Sequence, residues 1–292
     1  MKNKLLTNIK VLSASVLLAV TVVGSASAAT INSGNSASLN GVAQIATDGS
    51  GLTSVNVPAS NLTDGSGGYF VETFDQATQT LQPGTLIPFP AGNISFNDAG
   101  FDDCAVNGTG AGITITESNA NQSFGVRTGS LLNVAAAPAD DDTCFGYTPK
   151  EGGAIPSWVE VDYAGFLAQA GDVGITFLGF YWGSVDTYND FTFYNASGAE
   201  IQTITGSDLL AQNLGNTGNQ TEPGSNIYVA IDFGLSEAFT KLRVTTRSIA
   251  GEFDNIVIGL QNRPDVPVPA PSGIALLGLG LLGLGLRKRL RK

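Results

Sequence analysis

Short apolar runs with a two-residue period constrain the fold of this chain more than any other feature of its sequence. At 158–163 and 191–194, apolar and polar side chains alternate, as on a strand that buries one face. Clusters of Gly, Asn, Asp and Ser separate the runs, and no stretch shows a sustained helical period. The pattern predicts an all-β protein, and the many short strands favour a β-sandwich with jelly-roll-like strand order.

Individual strands can be placed along the chain from the same pattern. They are predicted at 41–47, 52–57, 69–74, 113–116, 123–127, 158–163, 173–182, 190–194, 200–205, 227–233, 241–246 and 252–258. Residues 195–198 have the composition of a hairpin turn, and a short helix is predicted to begin at Ser207. Between 117 and 156 the pattern gives way to Ala, Pro and Asp, which indicates a long loop or a subdivision near residue 150.

Residues 1–28 have the composition of a secretory signal peptide. Three lysines precede an apolar run at 11–23, and the small residues Ala26 and Ala28 follow it. Signal peptidase recognises this order of features, with cleavage expected after Ala28. The sequence therefore predicts an exported protein.

Residues 263–292 combine a proline-rich segment, an apolar run and a basic end. Residues 274–286 are all Leu, Gly, Ile or Ala, and all but one of the residues at 287–292 are Lys or Arg. A helix of this length rises about 20 Å, whereas the hydrocarbon core of a bilayer measures roughly 30 Å. We therefore expect a short transmembrane helix that uses part of the preceding segment or a thinned bilayer, with its basic end in the cytoplasm.

This tail resembles the PEP-CTERM sorting signal of Gram-negative bacteria, also known as an ice-binding protein C-terminal domain. In that family an exosortase-type processing enzyme recognises a Pro-Glu-Pro box, removes the tail and releases the ectodomain to the cell surface or extracellular matrix, often with exopolysaccharide. The matching positions are Val268, Pro269, Ala270, Pro271 and Ser272, then Arg287, Lys288 and Arg289. Alanine stands at 270 where the family box carries glutamate. The resemblance implies a transient inner-membrane intermediate followed by surface localisation, and a permanent inner-membrane anchor is the alternative.

The predicted ectodomain comprises residues 29–262, and the chain between the two predicted targeting segments is strongly acidic. Residues 29–271 contain 6 of the 14 basic residues and all 25 acidic residues, which gives a formal charge of −19. Such a charge excludes nucleic acid as a partner and favours divalent cations or basic partners.

Two cysteines and no histidine limit the chemistry that is open to the chain. Cys104 and Cys144 predict one disulfide in an oxidising compartment, and two free buried thiols are the alternative. Without histidine, catalysis would depend on paired carboxylates, as in glycosidases, and no acidic residue lies in a recognisable catalytic motif. The sequence predicts a protein that is not an enzyme, with a glycan-active enzyme as the alternative.

Acidic runs beside the two cysteines are candidate Ca²⁺ ligands. They contain Asp102, Asp103, Asp140 and Asp142, which a disulfide would bring towards one another. Carboxylate oxygens suit Ca²⁺. Neither run has the spacing of an EF-hand, and runs that simply face solvent are the alternative. No other cofactor is predicted.

Residues 178–189 and the Phe-Asp-Asn-Ile segment at 253–256 resemble the ectodomain common among exosortase-dependent surface proteins. The second segment also resembles the last strand of jelly-roll carbohydrate-binding modules. The candidate ligand-binding residues are Tyr181, Trp182, Asp186, Tyr188 and Asn189. Exposed aromatic rings stack on sugars, whereas the alternative places these rings in the core. We therefore predict a surface or matrix protein that binds glycan or exopolysaccharide, with a structural, adhesive, Ca²⁺-binding coat protein as the alternative.

Overall fold

A computed structural model describes residues 29–34, 69–74, 80–82, 85–86, 94–139, 141, 143–171 and 173–262. The predicted signal peptide, the strands expected at 41–47 and 52–57, and the sorting tail lie outside these residues. No helix within the described residues has the length and hydropathy that crossing a bilayer requires.

The described residues form strands and two short α-helices. The strands are β1 (Thr30–Gly34), β2 (Tyr69–Glu72), β3 (Thr80–Gln82), β4 (Thr85–Leu86), β5 (Thr114–Glu117), β6 (Gly125–Thr128), β7 (Cys144–Thr148), β8 (Ser157–Asp162), β9 (Val173–Gly183), β10 (Asn189–Tyr194), β11 (Glu200–Thr205), β12 (Ile227–Asp232), β13 (Lys241–Thr246) and β14 (Gly251–Asn262). The helices are α1 (Ala164–Ala170) and α2 (Gly206–Asn213). Short 3-10 turns occupy Ile94–Phe96, Asn107–Ala111, Pro223–Ser225 and Leu235–Glu237.

Two antiparallel sheets contain all of these strands except β3 and β4, which pair with each other. The seven-stranded sheet has the order β1-β12-β9-β14-β7-β6, and β2 pairs with the same strand β14. The five-stranded sheet has the order β11-β10-β13-β8-β5. Each sheet includes strands from before and after residue 150. The architecture is mostly β and sandwich-like, which confirms the predicted fold class at this level.

Aromatic side chains from both sheets meet in the core. Phe180 of β9 and Phe191 of β10 stack with ring centroids 4.3 Å apart, and Trp182 lies 4.5 Å from Phe191. Phe253 of β14 contacts Phe191 edge to face. Burial of each such ring contributes roughly 1.5 to 3 kcal/mol, and favourable ring geometry adds to this. The contact between the sheets is therefore largely aromatic.

The two sheets differ in how much of their outer faces meets solvent. In β13, Leu242, Val244 and Thr246 are buried while the intervening residues are half-buried, as the two-residue period predicts. In β9 nearly every residue is buried. The segment 130–139 accounts for part of this burial at the end of the strand, where Tyr181 Oη donates a 3.0 Å hydrogen bond to Ala139 O. At Gly183 a Cβ atom would lie only 2.9 Å from Pro138 Cα.

Strand β7 corrects the prediction of a long loop between 117 and 156. All five of its residues are buried, so it shows no alternation, and Gly146 interrupts its apolar character. A Cβ atom at Gly146 would lie about 3 Å from the rings of Phe74, Phe124 and Phe253, so this position has no room for a side chain. Strands β1, β3 and β4 were also not predicted.

Other local predictions are confirmed. The turn at 195–198 joins β10 to β11, with Gly198 N donating to Asn195 O. Helix α2 forms at the predicted place, because Thr205 Oγ1 accepts a hydrogen bond from Asp208 N and caps its first turn. Cys104 and Cys144 form the predicted disulfide, with Cα atoms 5.7 Å apart. The bond joins the segment before the second 3-10 turn to the first residue of β7.

Candidate functional site

A cleft of about 500 Å³ opens where the chain crosses between the two sheets. The crossings 184–188 and 247–250 connect β9 to β10 and β13 to β14, so they lie at the same end of the sandwich. The segment 130–136 forms the opposite wall. The lining residues are 130–136, Ser184, Asp186, Tyr188, Gly218, Gln220, Ile249, Ala250 and Glu252.

Glu252 supplies a buried carboxyl group to the cleft. Its side chain is held from two sides, since Ala136 N donates to Oε1 at 2.9 Å and Ser184 Oγ donates to Oε2 at 3.0 Å. Burial raises the pKa of Glu252 to about 8, although both hydrogen bonds oppose the rise. The residue is 2% exposed. Its two hydrogen bonds connect the segment 130–136 to the crossing 184–188.

Asp186 is the second carboxyl group of the lining. Thr217 Oγ1 donates to its Oδ1 at 2.9 Å. Burial raises the pKa of Asp186, while the nearby Tyr188 hydroxyl group and the hydrogen bond from Thr217 oppose that rise. The charge of Asp186 in turn contributes to the raised pKa of Glu252, so the two acids interact across the cleft.

The backbone at Gly218 passes close to the carboxyl group of Asp186. Gly218 has φ +65°, in the left-handed region that favours glycine. A Cβ atom at Gly218 would have only Asp186 carboxyl atoms as its three nearest neighbours, with Oδ1 at 2.9 Å. A side chain at position 218 would therefore collide with this carboxylate.

Tyr188 joins the two crossings to each other. Its hydroxyl group donates a 2.6 Å hydrogen bond to Ile249 O. Burial, followed by the hydrogen bond and negative charge of Asp186, raises the pKa of Tyr188, so the phenol stays neutral at physiological pH. Asn189 adds a second link, because its Nδ2 donates to Ala250 O at 2.9 Å. The cleft thus has a hydrogen-bonded frame on its β-sheet side.

Two apolar side chains border the opening. Leu132 is 85% exposed and Ile249 is 45% exposed, and both line the cleft. Exposed apolar side chains at the edge of a polar cleft can pack against a ligand that has an apolar face. The cleft can therefore offer hydrogen bonds and apolar contact to the same ligand.

The structure separates the five predicted ligand-binding residues into two groups. Asp186 and Tyr188 line the cleft, whereas Tyr181, Trp182 and Asn189 are fully buried. A fully buried ring cannot stack on a ligand, so the prediction of an exposed aromatic platform at 181 and 182 is wrong. The alternative, that these two rings fill the protein interior, is confirmed.

The predicted Ca²⁺ ligands are only partly within the described residues. Asp102 and Asp103 are exposed, and Asp140 and Asp142 lie outside the described part of the chain. Among the residues that the structure describes, no three His, Cys, Asp or Glu side chains are grouped as metal ligands. Ca²⁺ binding stays a prediction.

Sequence reasoning did not find most of the cleft. Glu252, Leu132 and Ile249 were not among the predicted ligand-binding residues, and they come together only in the tertiary structure. One signal was present for Glu252, which is an acidic residue at the start of a predicted strand. A buried acid in such a place is a candidate for a functional site.

A further buried acid, Glu72, has a structural role. Its oxygens accept hydrogen bonds from Phe74 N, Asn107 Nδ2 and Gly108 N at 2.7 to 3.0 Å. Burial raises the pKa of Glu72 to about 7. The contacts attach β2 to the 3-10 turn at Asn107–Ala111.

Comparisons with known proteins add little to this geometry. No family model matches the chain, and no curated protein matches its sequence. Similar solved structures include the Clostridium perfringens module CpGH89CBM32-4 in complex with glcNAc-alpha-1,4-galactose, at 14% identity over 51% of this chain and 90% of that chain, with a TM-score of 0.28. The family 32 carbohydrate-binding module of C. perfringens NanJ in complex with galactose has 13% identity over 52% and 95% of the chains, with a TM-score of 0.26.

The enzymatically active domain of bacteriophage CBA120 tailspike protein 4 is similar at 13% identity over 51% of this chain and 19% of that chain, with a TM-score of 0.27. Likeness at these TM-scores carries no argument about this chain. The function proposed below rests on the cleft and on the sequence of the two ends.

Proposed function

We propose that this chain is an exported, non-enzymatic protein of the cell surface or extracellular matrix, and that its sandwich binds glycan in the cleft. The observation that carries the proposal is the combination of Asp186, Leu132 and Ile249 in one opening of about 500 Å³. Ligand sites in proteins commonly measure roughly 300 to 1,000 Å³. A sugar presents hydroxyl groups at its edge and C–H groups on its faces, so it matches both kinds of lining.

The position of the acids favours binding over hydrolysis. Glycosidases need two carboxyl groups that both reach the substrate. In this cleft, Ala136 N and Ser184 Oγ occupy the two oxygens of Glu252, and its side chain is 2% exposed. We therefore assign Glu252 to the frame of the cleft, and Asp186, which is 6% exposed, remains the one acid of the lining that could reach a ligand.

Export and sorting are supported by the sequence of the two ends. The proposal includes cleavage by signal peptidase after Ala28, a transient inner-membrane intermediate and processing by an exosortase-type enzyme near 268–272. It also includes jelly-roll strand order and exopolysaccharide as the glycan encountered at the surface.

Sorting can be tested by expression in a host that has an exosortase and in a matched host that lacks it. We expect loss of the residues after 269–271 and delivery to the surface only in the first host, because the tail carries the other features of the signal. Intact mass and cell fractionation measure both outcomes. An intact tail in the inner membrane of both hosts would contradict the proposal and indicate a permanently anchored protein.

Glycan binding can be tested at the border of the cleft. Leu132→Ala is expected to lower the affinity of the protein for an oligosaccharide about tenfold, because the substitution removes apolar contact at the opening of the cleft. The matched control is Leu214→Ala, since Leu214 is 86% exposed and does not line the cleft. Isothermal titration with hexamers of glucosamine and of N-acetylglucosamine measures the effect. Equal affinities of the two variants would exclude the cleft as the binding site.

A further inference from the structure

We propose that a Ca²⁺ ion binds beside Asp141, Asp254 and Asn255 on the outer face of the seven-stranded sheet. This group does not line the cleft, and it shares no residue with the four Ca²⁺ ligands predicted from the sequence. The inference therefore stands independently of the proposed function. It is carried by a group of buried oxygen atoms, several of which have no hydrogen-bond partner among the described residues.

Two buried carboxyl groups meet at the side chain of Thr143. Its Oγ1 donates a hydrogen bond to Asp141 Oδ1 and lies 3.4 Å from Asp254 Oδ2. Because a hydroxyl group has one proton, it can compensate only one of the two carboxylates. Phe253 packs in the core, so Asp254, the next residue of the strand, lies on the outer face of the sheet. Since Asp141 is 8% exposed and Asp254 is fully buried, two acids are close to each other and away from bulk water.

The carboxyl group of Asp141 is compensated on one side only. Its Oδ1 accepts hydrogen bonds from the backbone N and the side chain of Thr143. Its Oδ2 is buried and has no hydrogen-bond partner among the described residues, and none of their ion pairs involves this acid. A buried carboxylate oxygen without a partner is costly in free energy, so such an atom points to a bound cation or water.

A tyrosine hydroxyl group extends the same group of oxygen atoms. Tyr181 of β9 lies opposite Asp254 of β14 on one side and opposite Tyr228 of β12 on the other. The hydroxyl group of Tyr228 lies so close to Gly179 of β9 that a side chain there would collide with it, and Gly179 pairs with Val257 of β14. The phenol therefore extends over β9 towards β14. Its Oη is buried without a hydrogen-bond partner in the described part of the chain, and burial and the negative charge of Asp254 raise the pKa of Tyr228.

Asn255 adds an amide oxygen at an irregularity in β14. The register of β14 against β9 shifts between Asp254 and Val257, and Asn255 has φ +50°, in the left-handed region. A bulge of this kind re-aims a side chain. Asn255 is fully buried, yet neither its Oδ1 nor its Nδ2 has a hydrogen-bond partner among the residues that the structure describes. Its amide oxygen is therefore available to an ion that Asp254 holds.

The chemistry of these groups selects the kind of ion. They offer hard oxygen donors, whereas Zn²⁺ sites are built mainly from the histidine and free cysteine side chains that this chain lacks. Two carboxylates balance the charge of a divalent cation. Ca²⁺ accepts about six to eight carboxylate, amide, backbone and water oxygens in irregular arrangements, whereas Mg²⁺ demands near-ideal octahedral geometry. The group has two acidic side chains, which agrees with the absence of any metal-binding group of three such side chains within the described residues.

The first experiment measures thermal unfolding of the wild-type protein after chelation and after Ca²⁺ is restored. We expect Ca²⁺ at about a hundredfold excess over its Kd to raise Tm by about 5 to 10 °C, because the ion binds the folded chain. Asp141→Asn should abolish the rise, and Asp254→Asn serves if the first variant does not fold. Two controls should retain the rise: Asp103→Asn, in an exposed acidic run, and Glu151→Gln, which removes another exposed carboxylate.

Terbium luminescence tests the position of the ion separately from stability. Tb³⁺ binds to the oxygen ligands of Ca²⁺ sites and emits light when a neighbouring tyrosine is excited. We expect emission from the wild-type protein that excess Ca²⁺ suppresses. Tyr228→Phe should lower the emission, because it removes a ring beside the site. Tyr194→Phe is the matched control, since Tyr194 lies in the five-stranded sheet.

Three outcomes would overturn the inference. The first is a Tm that does not change with Ca²⁺. The second is an equal rise with Mg²⁺, because divalent cations would then act through the general negative charge of the chain. The third is a rise that Asp141→Asn and Asp254→Asn both retain or that Asp103→Asn abolishes, since the ion would then lie in the exposed acidic run.

Discussion

The free energy of unfolding is expected to fall by several kcal/mol between about pH 5 and about pH 9, because Glu72 and Glu252 are buried acids. Burial raises their pKa values from 4.5 to about 7 and about 8. In this window the folded protein therefore binds more protons than the unfolded chain, so stability is fully present below about pH 4.5 and declines until about pH 8. At about 1.4 kcal/mol for each pKa unit, each acid accounts for a loss in the free energy of unfolding on the order of 3 to 5 kcal/mol as the pH rises.

Other groups do not obscure this trend. Lys241 and Arg243 lower the pKa of Glu160 against the opposing effect of its burial, so the stability that this acid contributes is lost only at more acidic pH. Denaturant unfolding at several pH values measures the slope. Glu252→Gln should flatten the upper part of the curve, because glutamine resembles the protonated acid beside Ala136 and Ser184. Glu151→Gln is the matched control, and stability that is constant or rises over this range would contradict the expectation.

Trp182→Ala is expected to reduce the free energy of unfolding by about 3 to 5 kcal/mol, the usual cost of removing a large buried side chain. Trp182 is fully buried and packs on Phe180 and Phe191 in the aromatic core. Denaturant unfolding at constant pH measures the loss. Because the ring does not line the cleft, the fraction that stays folded should bind oligosaccharide with unchanged affinity.

Trp182→Phe separates packing from hydrogen bonding at the same position. The indole Nε1 is buried and has no hydrogen-bond partner among the described residues. Its N–H group therefore loses its hydration without gaining a hydrogen bond. Phenylalanine removes that cost and retains most of the ring contacts. We expect a much smaller loss of stability than for alanine. Loss of glycan affinity in Trp182→Phe at unchanged stability would show that the ring contacts ligand after all.

The strands that the sequence predicts well are those with either an alternating pattern or a continuous apolar run. Strand β13 alternates between Leu242, Val244 and the half-buried residues beside them, so its pattern is visible in a single sequence. Strand β7 is buried on both faces and contains Gly146, so it has neither alternation nor a continuous apolar run. Alternation reveals β13, and a largely apolar run reveals β9 although it is buried on both faces, whereas β7 carries neither signal.

Local sequence also limits which residues of the candidate site can be predicted. The prediction at 181–189 includes Asp186 and Tyr188, which line the cleft because both lie on a crossing close to a strand end. It misplaced Tyr181, since nothing in the local sequence shows that Ala139 covers the outer face of β9. Glu252 and Leu132 join the cleft from distant parts of the chain. Their proximity to Asp186 depends on tertiary structure and has no signature in local spacing.

The two sheets should tolerate substitution to different degrees during evolution, because the outer face of the seven-stranded sheet is more deeply buried. Strands β9, β12 and β14 are buried on both sides, so most substitutions in them disturb packing. On the outer face of the five-stranded sheet, Lys241, Arg243 and Thr245 are half-buried and admit polar replacements more readily. Distant relatives should therefore share continuous apolar strands in one sheet and only alternate positions in the other. Sequence comparison should therefore detect distant relatives best through the strands of the seven-stranded sheet.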